Sequence, residues 1–141
     1  MSEKTFVTKL LHIKDYKFNV KSDLEYIPEL IVDETKPDGE GSGPNQTRLL
    51  STAVGHCMSS SLIYCLKKAR ITIKNLETTV KTNLYRNENG RLRIRSIDLQ
   101  IHLKVKKEDE NRINRCLTLF EDYCTVTQSV RKGISVNVQI Q

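Results

Sequence analysis

The sequence predicts an α+β fold, with antiparallel β-sheets packed around one long buried helix. Three observations carry this. Apolar residues recur at three and four from Leu50 to Leu66, they alternate at two on both sides of that stretch, and Asn89-Gly90 marks a tight hairpin. At 141 residues the chain has the size of one domain. A chain of that length buries roughly 70% of its unfolded surface, enough for a core without disulfides or metal. A single domain over residues 1–141 is therefore expected.

The elements follow in order. Thr5 to Val20 is strand material, with a turn between His12 and Asp15, and Leu30-Ile31-Val32 is a short third strand. Residues 35–46 hold three of the six glycines and two of the three prolines, which marks a loop. The helix begins near Leu49 and is closed by Lys67, Lys68 and Arg70, cations suited to the negative end of its dipole. Leu76, Thr78, Val80, Thr82 and Leu84 alternate in the next strand. The return strand, Arg91 to Val105, shifts parity between Ile94 and Ile97, which predicts a β-bulge near Arg95-Ser96. Glu108-Asp109-Glu110 should open a second helix with Ile113, Cys116, Leu117 and Phe120 as its buried stripe. A short third helix starts at Tyr123-Cys124 and stops at Gly133, and Ile134, Val136, Val138 and Ile140 alternate as a last half-buried strand.

Composition narrows the function. With 38% hydrophobic and 28% charged residues the chain is neither collagen-like nor disordered. Leu49 to Leu66 carries no charge over 18 positions, the minimum for a membrane span, but its four serines, threonine, histidine and glycine suit a protein interior better than lipid. No membrane partner is expected. The first residues lack a basic region followed by an apolar run, so a cytoplasmic setting with thiols kept reduced is expected. A net charge of +6 permits an anionic partner. Nucleic acid is disfavoured, because no aromatic interleaves Arg91, Arg93 and Arg95 as a base-stacking platform requires.

Four cysteines and three histidines raise the question of zinc. No C-x₂-C or H-x₃-H spacing occurs, so no metal and no cofactor are expected. His56 beside Cys57 diverges from it by 100° on a helix, so a packed or hydrogen-bonded histidine is the expectation there. Cys65 and Cys116 are expected as core cysteines; eight helical residues, about 12 Å, separate Cys65 from Cys57.

Two cysteine blocks carry a family resemblance. Val32-Asp33-Glu34, the glycine-rich loop, Gly43-Pro44-Asn45 and Gly55-His56-Cys57 on the buried helix form the first. Cys124 opening a short helix in Tyr123-Cys124-Thr125-Val126-Thr127-Gln128 forms the second, 67 residues after Cys57. In this order they resemble the OsmC/Ohr family (osmotically inducible protein C and organic hydroperoxide resistance proteins). The resemblance implies an OsmC-like intertwined homodimer and a cysteine-dependent peroxidase, an antioxidant enzyme of oxidative stress. Its substrate would be an organic hydroperoxide, and a thiol reductant would regenerate it. Cys57 would be the attacking cysteine and Cys124 the resolving one. Family peroxidases set a glutamate nine or ten positions before the first cysteine, paired with an activating arginine. Here those positions hold Arg48 and Thr47, and no arginine precedes Arg48. Arg48 and Lys17 are thus the candidate activating or anion-binding residues, alongside a basic side chain of the partner subunit. The alternative is a non-catalytic protein of the same fold that binds an apolar or anionic thiol ligand, coenzyme A-like, at the cysteine site.

Overall fold

The computed structural model describes residues 3–141. Five strands and three α-helices occur in the order β1 (Thr8–Lys14), β2 (Lys17–Ser22), β3 (Leu30–Val32), α1 (Gln46–Lys68), β4 (Ile73–Arg86), β5 (Leu92–Val105), α2 (Asn114–Leu119) and α3 (Thr125–Lys132). They fall into two compact units, Met1–Leu49 and Leu50–Gln141.

In the first unit β1, β2 and β3 form an antiparallel sheet in sequential order. The loop that follows is organised by one carboxylate. Asp33, 4% exposed, accepts the backbone N–H groups of Glu34 at 2.8 Å and of Glu40 and Ser42 at 3.2 Å, and the Ser42 hydroxyl at 2.7 Å. The Ser42 hydroxyl, with those backbone groups, holds the Asp33 carboxyl below the usual aspartate range against the cost of burial. Gly43 then passes so close to the Ile31 carbonyl that no side chain fits. Asn45 caps the helix, its Oδ1 accepting the N–H of Arg48 at 3.1 Å. The Gly-Pro-Asn entry thus has a local mechanical reason.

In the second unit α1 lies on the hairpin of β4 and β5. By length and composition it is apolar enough to cross a membrane, but the hydroxyls it turns to the hairpin are spoken for by protein. Ser59 donates to the Gly55 carbonyl at 2.7 Å and pairs with the Thr78 hydroxyl at 2.6 Å, and Ser51 pairs with Thr82. Gly55 permits the approach: a Cβ there would sit 2.7 Å from Val80 Cγ2. Past Lys68 the chain closes the helix with a Schellman motif, Ile71 N–H on the Leu66 carbonyl at 2.9 Å and Arg70 at φ 58°. Leu62, Leu66, Ile71, Val105 and Cys116 form the core, flanked by Leu76, Ile101 and Leu103 from the hairpin. The predicted bulge is present, because Asn83 faces Ser96 while Leu84 faces Ile94 and Arg95 is skipped.

Four expectations are corrected. The helix starts at Gln46, not Leu49, since Asn45 supplies the cap. Glu108-Asp109-Glu110 does not open a helix. Lys107–Asp109 is a single 3₁₀ turn, and Arg112 takes the Asp109 carboxylate at 2.8 Å, so α2 begins only at Asn114. His56 is exposed rather than packed. Finally, residues 134–141 are not a strand. Their alternation is real, but a strand exists only by pairing, and among the described residues no strand pairs with them, leaving Val136 83% and Ile140 95% exposed.

Two outcomes follow from this packing. Gly55→Ala forces the stiff Val80 side chain aside and should destabilise the protein by about 1–3 kcal/mol, with Val80→Ala restoring part of it; equal chemical denaturation midpoints for Gly55→Ala and wild type would contradict the close contact. Because the folded Asp33 value is lowered, its contribution to stability is complete above the unfolded aspartate value of about 3.9 and is lost as pH falls through the lower folded value. The Glu40 and Ser42 amide resonances should therefore titrate with a midpoint below 3.9, moving upward in Ser42→Ala.

Candidate functional site

Cys57 and Cys124 meet in the second unit. Cys57 sits mid-way along α1, its thiol half-buried; Cys124 is fully buried and is the N-cap residue of α3, at φ −80° and ψ 99°. The two side chains are in hydrogen-bond contact, and both are free thiols. The backbone N–H of Val126 donates to Cys57 Sγ at 3.4 Å, and Cys124 Sγ shares a hydrogen bond with Thr127 Oγ1 at 3.0 Å. The sulfur of Cys57 thereby occupies the position that a capping side chain takes at a helix N-terminus, although it comes from another helix. The first amides of a helix are orphan donors with a positive partial charge. These backbone N–H groups favour the Cys57 thiolate, but burial and Cys124 outweigh them.

The two thiols ionise unequally. Burial pushes Cys57 up, and its donated bond to Cys124 holds it there against the N–H groups of Val126 and Thr127. Burial also penalises the Cys124 thiolate, but hydrogen bonds from Cys57, Thr127 and Ser61 outweigh it and bring Cys124 below the ordinary thiol value. The pair titrates as a unit, its first proton leaving early and its second late.

Arg48 and Lys17 are the candidate activating or anion-binding residues of the sequence. Both belong to the first unit's residues. Lys17 Nζ is ion-paired to Glu40 at 2.7 Å, with Lys14 on the same carboxylate at 2.6 Å. Arg48 lies inside the first turn of α1, on the side of Asn45. Nine helical residues turn it through about 900° from Cys57 and carry it about 13.5 Å along the axis.

Two participants were not foreseen. Thr127 and Ser61 are both buried hydroxyls aimed at Cys124. Each had a readable signal: Thr127 is three residues after the capping Cys124, and Ser61 is four after Cys57, on the same helix face. Thr127, the hydrogen-bond partner of Cys124, also lines a cavity of about 340 Å³, together with Val54, Met58, Leu99 and Val130 and the cations Arg95 and Arg131.

Cys65 and Cys116 are a further correction. They are core residues, but they are also bonded to each other as a disulfide, with Cα atoms 5.6 Å apart, inside the range bridging needs. Cys57 and Cys65 are eight residues apart, and so are Cys116 and Cys124. The segment from Cys116 to Cys124 therefore runs antiparallel along α1, matching the four cysteines in two pairs. Among the described residues no three His, Cys, Asp or Glu side chains gather as a metal site.

Comparison with known proteins places this geometry. The sequence profile of the family described as OsmC-like protein matches residues 39–139. An OsmC-like protein from Mycoplasma pneumoniae superposes with a TM-score of 0.75 at 17% identity, over 92% of this chain and 89% of that one. An organic hydroperoxide resistance protein from Elizabethkingia anophelis gives 0.67 at 20% identity, over 92% and 90%. An organic hydroperoxide resistance protein OsmC from Legionella pneumophila gives 0.66 at 14% identity, over 93% and 92%. No curated protein matches the sequence.

The thiol pair makes its own prediction. Its first proton should leave at a pH below the ordinary thiol value of about 8.5, followed by ultraviolet thiolate absorbance. Thr127→Val, which removes a donor to the sulfur, should raise that midpoint and slow thiol alkylation at pH 7 by about threefold to tenfold. A midpoint at or above the ordinary value in the wild-type protein would refute the assignment.

Proposed function

The chain belongs to the OsmC-like family, and from that premise we propose that it is a thiol-dependent reductase of organic hydroperoxides, a homodimer acting in the cytoplasm through Cys57 and Cys124. A redox role is general to the resemblance; the assignment to two residues rests on their contact at the N-terminus of α3.

The chemistry runs in two steps. Cys124, the more acidic partner, loses its proton to solvent first; its thiolate then accepts the proton of Cys57, and the Cys57 thiolate so formed attacks the terminal peroxide oxygen. An S–O bond forms as the O–O bond breaks, and the alkoxide leaves as alcohol with the proton returned by Cys124. The Cys124 thiolate then attacks the sulfenic sulfur of Cys57 and expels hydroxide, which is protonated to water, leaving a disulfide. Two electrons pass from the thiol pair to the peroxide, and a thiol reductant restores them. Cys57 is the first nucleophile because it is the more accessible sulfur, whereas Cys124 has no exposed surface. The apolar cavity that Thr127 lines suits the organic portion of such a substrate.

The dimer is supported by what the single chain leaves bare. Every residue of β1 is exposed, Leu10 and Ile13 by 55% and 51%. The face of α1 bearing Ala53, His56, Ser60 and Tyr64 is exposed without a charge on it. The alternating tail from Ile134 to Ile140 has the pattern of a strand awaiting an edge.

One observation favours a second reading. The leading influences on the Cys57 thiol are burial, Cys124 and two backbone N–H groups, and no cation is among them. A protein so arranged could hold an apolar or anionic thiol ligand without turnover. Peroxide consumption with a dithiol reductant separates the two. Under the first reading Cys57→Ser loses at least about a thousandfold in rate, and Cys124→Ser stops after one turnover with Cys57 as a sulfenic acid. Under the second, wild type and Cys57→Ser consume organic hydroperoxide equally slowly.

A further inference from the structure

The second cysteine pair borders a site of its own. A cavity of about 300 Å³ has both Cys65 and Cys116 in its wall, together with Lys68, Arg112 and Arg115, and no carboxylate side chain lines it. Arg112 is already engaged by Asp109 at 2.8 Å. Lys68 lies 5.5 Å from the centre of the Tyr64 ring, and Arg115 is exposed at the start of α2. Two cations are thus available to an anion beside a disulfide. The two sulfurs differ in access, since Cys65 is half-buried while Cys116 is 2% exposed. Cys65 and Cys57 are about 12 Å apart along α1, so this pair does not exchange directly with the Cys57–Cys124 pair.

We propose that the Cys65–Cys116 disulfide is an exchange site for a small anionic thiol, whose carboxylate, sulfonate or phosphate rests on Lys68 and Arg115 while its sulfur meets Cys65. The ligand thiolate attacks Sγ of Cys65. A bond between the ligand and Cys65 forms as the Cys65–Cys116 bond breaks, and Cys116 departs as a thiolate that takes a proton from solvent. A second ligand thiolate then attacks the ligand sulfur of this mixed disulfide. The products are a free Cys65 thiol and the oxidised ligand dimer. Two small thiols lose one electron each and the protein disulfide gains both. The same steps in reverse let an anionic small-molecule disulfide re-form the pair. Attack falls on Cys65 because it is the sulfur a solvent-borne thiolate can reach, and access governs which sulfur of a disulfide is attacked.

The inference does not depend on peroxide turnover, and its test reads different residues. Full-length protein in the disulfide form is mixed with 2-mercaptoethanesulfonate or with cysteamine, thiols of similar size and opposite charge. The reaction is quenched with acid, and the adduct is located by peptide mass spectrometry. With rates expressed per thiolate, the sulfonate should open the disulfide at least about fivefold faster than cysteamine at low ionic strength. That advantage should shrink toward unity at about 1 M salt and in Lys68→Ala/Arg115→Ala, two exposed positions whose truncation leaves the core intact. The trapped adduct should sit on Cys65. Equal rates for the two thiols, an adduct on Cys116, an advantage unchanged in the double variant, or thiols at 65 and 116 that stay unbonded after mild oxidation would each overturn the proposal.

Discussion

The close seating of α1 on β4 governs everything else in the second unit. A helix with no charge between Leu49 and Leu66 cannot be left in water on all sides, and Gly55 lets its backbone come within reach of Val80. Its interior hydroxyls are then satisfied by Thr78 and Thr82 rather than by solvent. With α1 so held, Cys57 and Cys65 project at fixed heights. The segment after β5 is laid antiparallel to it by Cys116 and Cys124 at the same eight-residue interval. One helix thereby presents two cysteine pairs, one of free thiols and one a disulfide.

The two pairs have different surroundings and hence different chemistry. At Cys57 and Cys124 the positive influence is dipolar, the first amides of α3, together with two buried hydroxyls. Such donors are worth most where water is excluded, and they carry no counter-charge that would need its own partner. At Cys65 and Cys116 it is ionic, from lysine and arginine side chains around an open cavity. A fixed dipole at a buried thiol pair suits a reaction with a neutral molecule, whereas mobile cations beside a partly exposed disulfide suit the capture of an anion.

The apolar surface that the single chain leaves exposed belongs to the same physics. The sheet of β1 to β3 and the tail from Ile134 to Ile140 carry strand patterns without enough neighbours to bury them. Large exposed apolar residues such as Phe6, Tyr26 and Val136 cost little singly, but in continuous stretches they mark surfaces meant for contact. A second copy is the occupant we propose.

Local physics made much of this protein legible in its residues alone. The hairpin is written in Asn89-Gly90, where Gly90 adopts φ 74°, and the bulge at Arg95 in the slip of apolar parity between Ile94 and Ile97. The start and stop of α3 are written in Cys124 and Gly133. Each of these depends on neighbours within a few positions, so periodicity and turn chemistry suffice. The family blocks likewise singled out Cys57 and Cys124. Other features depend on contacts across the chain, and the residues alone were silent or misleading there. The acids at 108–110 read as a helix start, until the Asp109 carboxylate found Arg112. Residues 134–141 read as a strand, yet pairing is a property of two segments, and the described residues supply only one. Cys65 and Cys116, 51 residues apart, became a bonded pair only when α2 was folded back along α1. The N–H of Val126 reached Cys57 for the same reason, across 69 residues. Spacing along a sequence sets which face a side chain occupies; only the tertiary fold decides which other face it meets.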